Sequence, residues 1–238
     1  MVTSQEITAT PTRPDAGPVT TAAHRVDTTY AVELIGTFFL VLTVGTAAGS
    51  GSPFAPLAIG ATLMVMVYAG GHISGGHYNP AVTLAVLVRH RIGPRTAIGY
   101  RVAQVVAGLL AAVVVREIID PARAATTSTL TLSGRTVGAV LVVEALFTFA
   151  LCYVVLNVAT SKSHPDNLVY GLAIGFTVVA GAFAVGAISG GAFNPSVAVG
   201  AAVMGMFAWP TLWVYPAAQL VAGAAAGVVF LALDPDDK

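Results

Sequence analysis

The chain has 238 residues, of which 56% are hydrophobic and only 9% are charged, and its formal net charge is zero. A soluble domain carries roughly 25% charged residues because its surface must face water, so this composition indicates a membrane protein. A neutral chain also lacks the basic face that nucleic acids require, and a single cysteine excludes an internal disulfide. We therefore expect membrane lipid as a partner and no nucleic acid.

Polar residues dominate the first 29 positions, which we interpret as a disordered cytoplasmic tail. Six apolar stretches follow, each long enough at about 1.5 Å per residue to cross a hydrocarbon core of about 30 Å. They lie near residues 30–50, 56–73, 97–118, 137–159, 167–187 and 209–231. Two further apolar segments, 79–89 and 194–205, are too short to span and follow glycine-rich turns, which predicts two re-entrant half-helices.

These elements predict an all-α membrane protein with one membrane-spanning domain over residues 30–231 and a second short cytoplasmic tail over 232–238. The Lys and Arg residues indicate its orientation. With the N-terminus in the cytoplasm, eight of the 11 basic residues lie on the inner side, and only Arg116, Arg123 and Arg135 lie outside. We expect a multi-pass membrane protein with both termini in the cytoplasm.

The most informative pattern is an internal repeat. Residues 71–82 read GHISGGHYNPAV and residues 186–197 read GAISGGAFNPSV, so eight of twelve positions are identical at a constant offset of 115. The match extends outward to Gly60 and Gly175, each of which lies 19 residues before the Asn of its own repeat. Chance does not explain so long a match.

Each repeat, about 30–118 and about 137–231, holds three spans and one half-helix. An odd number of spans inverts the second repeat in the membrane, so the two half-helices enter from opposite faces and meet near the midplane. Each repeat also carries one acidic residue inside an apolar stretch, Glu33 or Glu144. A proton relay is one interpretation, but the repetition favours structural support of the irregular loops, whose N–H groups need acceptors.

The Asn-Pro pairs predict the chemistry of the centre. Asn79 and Asn194 are good N-caps, while Pro80 and Pro195 occupy a first helical position that needs no N–H. Two half-helix N-termini that meet favour a neutral hydrogen-bond acceptor and repel a cation. The preceding loops supply carbonyls to a wet passage, and their Ser-Gly-Gly runs are Ser74, Gly75 and Gly76, and Ser189, Gly190 and Gly191.

On the motifs Asn79-Pro80-Ala81 and Asn194-Pro195-Ser196, and on the Glu-containing helix openings, the chain resembles the aquaporin and glycerol-facilitator (major intrinsic protein) family over essentially all of 30–231. The resemblance implies an aquaporin-like inverted repeat with one pore per subunit, a homotetramer in the plasma membrane, and passive conduction with no cofactor and no enzymatic activity. It also implies that the two carboxylates brace the half-helix loops.

The resemblance further places a selectivity filter on four positions, and this sequence departs from the family there. Counted from the Asn-Pro motifs, these positions are Ile59, Ala182, Gly191 and Val197. Relatives usually carry an Arg where Val197 stands, and that Arg narrows the pore and repels cations. The four small or aliphatic residues predict a wide filter for glycerol, urea, ammonia, peroxide or metalloid acids such as arsenous acid, along with water.

Three alternatives stay open: a mainly water-conducting channel, an ion-coupled secondary transporter, which shares inverted repeats, and a junction-type protein with a closed pore. No metal site is expected, because His72 and His77 have no further ligands nearby. We expect His72 to pack against the first loop or to hydrogen-bond it. We expect the Ser196 hydroxyl to bond back to its own helix.

Overall fold

A computed structural model describes residues 22–124, 129–165 and 167–237 of the chain. Within these residues the chain forms nine α-helices, α1 (Ala22–Thr43), α2 (Ala55–Ser74), α3 (Pro80–Val88), α4 (Pro94–Val114), α5 (Pro121–Ala124), α6 (Arg135–Val155), α7 (Tyr170–Ser189), α8 (Pro195–Val203) and α9 (Val214–Leu233). Short π-helical turns extend three of the helices beyond these bounds: Val44–Ala48 follows α1, Val115–Ile119 follows α4 and Leu156–Thr160 follows α6. Most of the predicted tail over 1–29 lies outside the described residues, and its last eight residues belong to α1.

Six helices in the described part of the chain are long and apolar enough to cross a membrane. They cover Thr28–Ala48, Ala55–Ser74, Pro94–Ile119, Thr136–Thr160, Tyr170–Ser189 and Trp209–Leu233. Each coincides with one predicted stretch, which confirms the predicted all-α membrane fold. The half-helices α3 and α8 have nine residues each, or about 14 Å, and cannot span.

The two repeats pack in the same way. Helix α1 lies against α4 in the first repeat, and α6 lies against α9 in the second. Each half-helix packs chiefly on the last helix of the other repeat, α3 on α9 and α8 on α4, while α2 and α7 pack on each other. The half-helices therefore interlock the two repeats.

The crossing of α2 and α7 depends on the glycine pair found in the sequence repeat. A Cβ atom at Gly60 would lie 2.5 Å from the carbonyl oxygen of Gly175. A Cβ atom at Gly175 would likewise lie 2.5 Å from the carbonyl oxygen of Gly60. A larger residue on either helix would push the backbones apart, since close contact between membrane helices needs small residues. This pair marks the point about which the two repeats are related.

Burial in this bundle reverses the pattern of a soluble protein. Large apolar side chains such as Ile98, Val142 and Val221 are exposed on the outer surface of the helices, whereas Glu33 and Glu144 are fully buried. An apolar outer surface fits a hydrocarbon solvent, in which burial of apolar groups brings no gain. The polar groups are consequently concentrated around the half-helices.

Candidate functional site

Both half-helices begin at their Asn-Pro pair, as predicted. Asn79 is the N-cap of α3, and its Oδ1 accepts a hydrogen bond from the backbone N–H of Ala81 at 2.8 Å. Asn194 caps α8 in the same way, with Ser196 N at 2.9 Å. Such caps satisfy one of the free N–H groups at each helix start.

The same two Asn side chains hold the half-helices end to end. Asn79 Nδ2 donates to the backbone oxygen of Phe193 at 2.9 Å, and Asn194 Nδ2 donates to that of Tyr78, also at 2.9 Å. Each bond crosses from one repeat to the other. Because a carboxamide has two N–H groups, one donor on each Asn remains beyond this bond.

The loops before the half-helices take a backbone path that only specific residues tolerate. Gly75 and Gly190 end α2 and α7 in the left-handed conformation, at φ 90° and 84°, which is a common helix C-terminus for glycine. Tyr78 and Phe193 are also left-handed, at φ 47° and 48°. A bulky residue in this conformation costs about 1–3 kcal/mol, so the surrounding contacts must hold the loops in place.

Glu33 provides those contacts in the first repeat. Its Oε1 accepts hydrogen bonds from Ser74 Oγ at 2.7 Å and from the backbone N–H of His77 at 2.9 Å. Its Oε2 accepts from the backbone N–H of Tyr78 and from Gln104 Nε2, both at 2.7 Å. Four donors occupy the four acceptor positions of one carboxylate.

Glu144 makes the same set of bonds in the second repeat. Its Oε1 accepts from Ser189 Oγ at 2.6 Å and from Ala192 N at 3.0 Å, and its Oε2 accepts from Phe193 N and Gln219 Nε2, both at 2.8 Å. The structure thus places both carboxylates where the bracing hypothesis puts them. With every acceptor position used, neither is arranged as a relay that hands a proton onward.

The sequence reasoning missed four residues of these braces. Gln104 and Gln219 complete the two carboxylate sites, and the hydroxyls of Tyr100 and Tyr215 donate to the carbonyls of Ser74 and Ser189, each at 2.8 Å. Both pairs obey the offset of 115 found in the repeat. Extending that comparison into α4 and α9 is the signal that identifies them.

The histidine prediction is wrong for His72. This side chain is exposed at the end of α2 and lines a recess that also contains His164. The buried loop histidine is His77, whose Nδ1 lies 3.1 Å from Thr83 Oγ1. The physical reason is that His72 still belongs to the last helical turn and points off it, whereas His77 lies inside the loop that Glu33 holds.

The prediction for Ser196 is also wrong. Its hydroxyl is fully buried and has no hydrogen-bond partner among the described residues. Back-bonding requires a carbonyl one helical turn earlier, and Ser196 lies in the first turn of α8, so no such carbonyl precedes it. The residue packs instead against α4, where a Cβ at Gly108 would lie 2.7 Å from the Ser196 carbonyl oxygen.

A cavity of about 30 Å³ lies between the two repeats where the half-helices meet. We call it the central cavity. Its lining residues from the first repeat are Leu40, Val44, Ile59, Leu63, Gly76, His77, Asn79 and Val82. Those from the second, in the same order, are Leu151, Val155, Ile174, Val178, Gly191, Ala192, Asn194 and Val197. The lining is therefore mostly aliphatic and carries no Asp, Glu, Lys or Arg.

Three of the four predicted filter residues, Ile59, Gly191 and Val197, line the central cavity. Ala182 lies directly behind Gly191, because a Cβ at Gly191 would be 3.3 Å from the Ala182 Cα. The structure thus brings the four predicted positions together on one side of the Asn pair. Nothing in this cluster donates a hydrogen bond from a side chain.

On the other side the central cavity adjoins a wider space of about 350 Å³, which we call the vestibule. Its lining includes Ser74, Tyr100, Arg91 and Thr160, and it shares His77 with the central cavity. The end of the bundle around the vestibule is here called the C-terminal face, because the C-terminal residues lie there.

The C-terminal tail binds this face through a buried ion pair. Arg89, which caps the C-terminus of α3, lies 2.8 Å from Asp237 through Nη2 and donates from Nε to Thr160 Oγ1 at 2.8 Å. Asp237 also accepts from the backbone N–H of Lys162 at 2.8 Å, and the guanidinium lies 4.1 Å from the ring centre of Phe230. The predicted second tail is thus attached to the half-helix and to the loop before α7.

Several effects act on the Asp237 pKa. Burial raises it, but hydrogen bonds from Arg89, from the Lys162 backbone and from Ser161, together with the Arg89 charge, outweigh burial and lower it to about 2. The carboxylate is therefore charged at any physiological pH. The clamp between tail and half-helix is accordingly an ionic one.

Comparison with known proteins agrees with this geometry. The chain is 36% identical to aquaporin NIP1-4 of Oryza sativa subsp. japonica over 91% of this chain and 82% of that protein. It is 39% identical to the glycerol uptake facilitator protein-like 6 of Lactiplantibacillus plantarum over 78% of this chain and 88% of that protein. The solved aquaglyceroporin of Plasmodium falciparum matches the fold with a TM-score of 0.63 at 19% identity, over 86% of this chain and 95% of that one. The profile of the family described as major intrinsic protein matches residues 46–230, and the chain belongs to this family of membrane channels.

Proposed function

We propose that the central cavity is the conduction pathway and that this channel passes small uncharged solutes, glycerol and urea foremost, in addition to water. The observation that carries the proposal is the cluster of Ile59, Gly191 and Val197 on one side of the Asn pair. These residues supply neither a guanidinium nor an aromatic ring to narrow the passage. A site of this kind admits solutes wider than water and selects by size and neutrality.

Neutral solutes are favoured by the centre of the cavity. The N-termini of α3 and α8 meet there, and their positive dipole ends repel a cation. Asn79 and Asn194 each have a second side-chain N–H that bonds to no other described residue, and it offers a donor to an oxygen atom of the solute. With no Arg in the filter, exclusion of cations rests on these dipoles.

A passive channel is favoured over an ion-coupled transporter. Coupling to a proton or sodium gradient needs a charged group that binds the ion inside the membrane. Glu33 and Glu144 are the acidic residues buried next to the loops, and all their acceptor positions are used by protein donors. Neither carboxylate is among the residues that line the central cavity.

We also propose the orientation and assembly. Arg89, Arg91 and the Lys162 loop lie on the C-terminal face, and this excess of basic residues favours a cytoplasmic position for the face. A cytoplasmic C-terminus and an even number of spans put the N-terminus on the same side of the plasma membrane. The family resemblance favours a homotetramer with one pore in each subunit.

Stopped-flow light scattering on proteoliposomes tests the proposal. Purified protein is exposed in turn to gradients of glycerol, urea, arsenous acid and an impermeant sugar, with empty liposomes as the control. We expect glycerol and urea permeability well above that of the control. High water permeability with no solute flux would assign the protein to the mainly water-conducting alternative, and dependence on an ion gradient would assign it to the transporter class.

A further inference from the structure

We propose that the upper size limit for solutes is set on the vestibule side of the Asn pair, by a ring of residues that the repeat relates to the predicted filter. We call it the inner ring, and its members are Val67, Gly76, Val82 and Ile174. The filter positions, in the same order, are Ala182, Gly191, Val197 and Ile59, which we call the outer ring. The inference rests on the proposed conduction pathway and names the residues in it that exclude larger solutes.

The starting observation is the near symmetry of the central cavity. Its lining residues form eight pairs related by the repeat, and six of these pairs are identical, among them Val82 with Val197 and Ile59 with Ile174. Because position 197 holds a valine like position 82, both half-helices present the same aliphatic side chain to the cavity. A solute therefore meets two similar rings in succession, one on each side of the Asn pair.

The two rings are built in the same way. In each, a loop glycine lines the cavity and a residue of a spanning helix lies directly behind that glycine. A Cβ atom at Gly76 would lie 3.5 Å from the Cα of Val67, and one at Gly191 would lie 3.3 Å from the Cα of Ala182. Val67 and Ala182 thus occupy equivalent places, and the valine has the larger side chain. The inner ring accordingly holds more side-chain volume than the outer ring.

The inner ring separates the Asn pair from the vestibule. Val82 belongs to α3, which runs from the Asn pair to the C-terminal face. Ile174 lies in the first turns of α7, just after the loop that the C-terminal tail binds. Gly76 directly precedes His77, which lines both the central cavity and the vestibule. A solute that moves between the vestibule and the Asn pair must therefore pass the inner ring.

Solvent exposure distinguishes the two rings. All four residues of the inner ring are buried, with exposed fractions of 1% for Val67 and 4% for Ile174. In the outer ring only Val197 is buried, and the other three residues are partly exposed. Positions that the repeat makes equivalent are thus more accessible to solvent on the outer side. The inner ring is consequently the narrower of the two.

A ring of this composition discriminates by width. Its side chains are aliphatic, so a solute that enters the ring loses contacts with water and gains no side-chain hydrogen bond in return. A longer polyol loses more of these contacts than glycerol does, and it needs more space. The inner ring therefore passes short uncharged polyols and amides, such as glycerol and urea, and retards longer polyols such as erythritol.

The matched variants Ile174→Ala in the inner ring and Ile59→Ala in the outer ring test the assignment. Their erythritol and glycerol permeabilities are measured by stopped-flow light scattering on proteoliposomes of equal protein content. Barriers in series add their resistances, so removal of one of two equal barriers raises the permeability at most about twofold. We expect erythritol permeability to rise more than about twofold in Ile174→Ala, because the inner barrier dominates, and to change less than about twofold in Ile59→Ala.

The reverse order of the two variants would overturn the proposal, as would equal rises in both or a rise in neither. Ile174→Val and Ile59→Val replace the alanine variants if those do not fold, with the same order expected. A wild type without glycerol flux contradicts the proposed function. The inner ring is then judged by which alanine variant admits glycerol: Ile174→Ala supports it and Ile59→Ala contradicts it.

Ala182→Val provides a second test, because it gives the outer ring the side chain that the inner ring already has. The outer barrier should then at most match the inner one, so we expect erythritol permeability to fall by no more than about twofold. A larger fall would show that the outer ring already limits the flux, and it would overturn the proposal.

Discussion

The two repeats of this channel are alike where they brace the membrane loops and different where the half-helices end. Glu33 and Glu144 accept hydrogen bonds from the same four kinds of donor at distances that agree within about 0.2 Å. At the far end, α3 terminates in the buried Arg89 and α8 terminates in Met204. Symmetry is thus retained where buried backbone N–H groups need acceptors, a demand that is the same on both sides of a membrane.

The differences lie on the C-terminal face. The connection that leads into α7 is four residues longer than its counterpart before α2, as the change of the repeat offset from 111 to 115 indicates. This longer loop is the one that Asp237 holds through Lys162. His77 and Thr83, whose counterparts in the second repeat are Ala192 and Ala198, lie 3.1 Å apart, and His77 lines the vestibule on this face. The walls of the pore are related by the repeat, so its two ends differ mainly because of these features at one face.

The largest effect is expected from removing a brace. Glu33→Ala and Glu144→Ala each leave two loop N–H groups and a buried glutamine without their acceptor, at a cost of about 3–5 kcal/mol. We expect both variants to lose thermal stability in detergent by a similar amount, measured as the temperature at which the monodisperse peak disappears in size-exclusion chromatography.

Asp236→Asn, which changes an exposed carboxylate in the tail, serves as the control and should retain the wild-type transition. If only one of the two Glu variants is destabilised, the two carboxylates do not stabilise their loops equally, and the two repeats differ at this point.

The next effect concerns the two valines that are related by the repeat, Val82 and Val197. Both line the central cavity, so a guanidinium at either position should narrow the pore and add a positive charge. We expect Val197→Arg and Val82→Arg each to lower glycerol permeability at least about tenfold, because the long side chain occupies part of the passage. Val197→Met matches much of the added length without charge and should have a smaller effect. Glycerol permeability unaltered by Val197→Arg would place the constriction elsewhere.

A smaller and opposite effect is expected at the incomplete network of the second repeat. Ala198→Thr supplies a hydroxyl at the position that Thr83 holds in the first repeat. Gln219 Oε1, which has no partner among the described residues, is available to accept from it. We expect this variant to be more stable than Ala198→Val by about 1 kcal/mol, since the two side chains have the same shape and differ by the hydroxyl. Chemical denaturation of the two variants side by side measures the difference. Equal stability of the two variants would mean that the hydroxyl at position 198 forms no stabilising hydrogen bond with Gln219.

The smallest effect is expected from the ionic clamp at the tail, and its pH dependence has a defined sign. The folded-state pKa of Asp237, about 2, lies below its ordinary value of 3.8, so its contribution is complete above about pH 4 and is lost as the pH falls toward 2. At pH 7, Asp237→Asn should speed proteolytic cleavage in the loop that contains Lys162, whereas Asp236→Asn should not. Identical cleavage rates in the wild type and Asp237→Asn would show that the tail does not restrain this loop.

Much of the fold follows from the sequence because its determinants are local or repeated. Apolar length predicts the six spans, and the Asn-Pro pairs predict the helix starts at positions 80 and 195. Repetition also identifies Glu33 and Glu144 as braces. Each of these inferences uses neighbouring residues or one constant offset.

The remainder depends on contacts that no local pattern encodes. Arg89 and Asp237 are 148 residues apart, and nothing near either one indicates the other. His72 and His77 have similar sequence surroundings, and only the point at which α2 ends decides which of them is buried. The environment of Ser196 depends on how α8 packs against α4, which the sequence repeat alone does not specify.

The central claim, a wide neutral filter without an arginine, is tested most directly by the response of wild-type proteoliposomes to an inward glycerol gradient. The vesicles should shrink as water leaves and then swell again, at a rate well above that of empty liposomes, as glycerol and water enter together. Shrinkage with no faster re-swelling than in empty liposomes would mean that glycerol does not pass, and it would contradict the account.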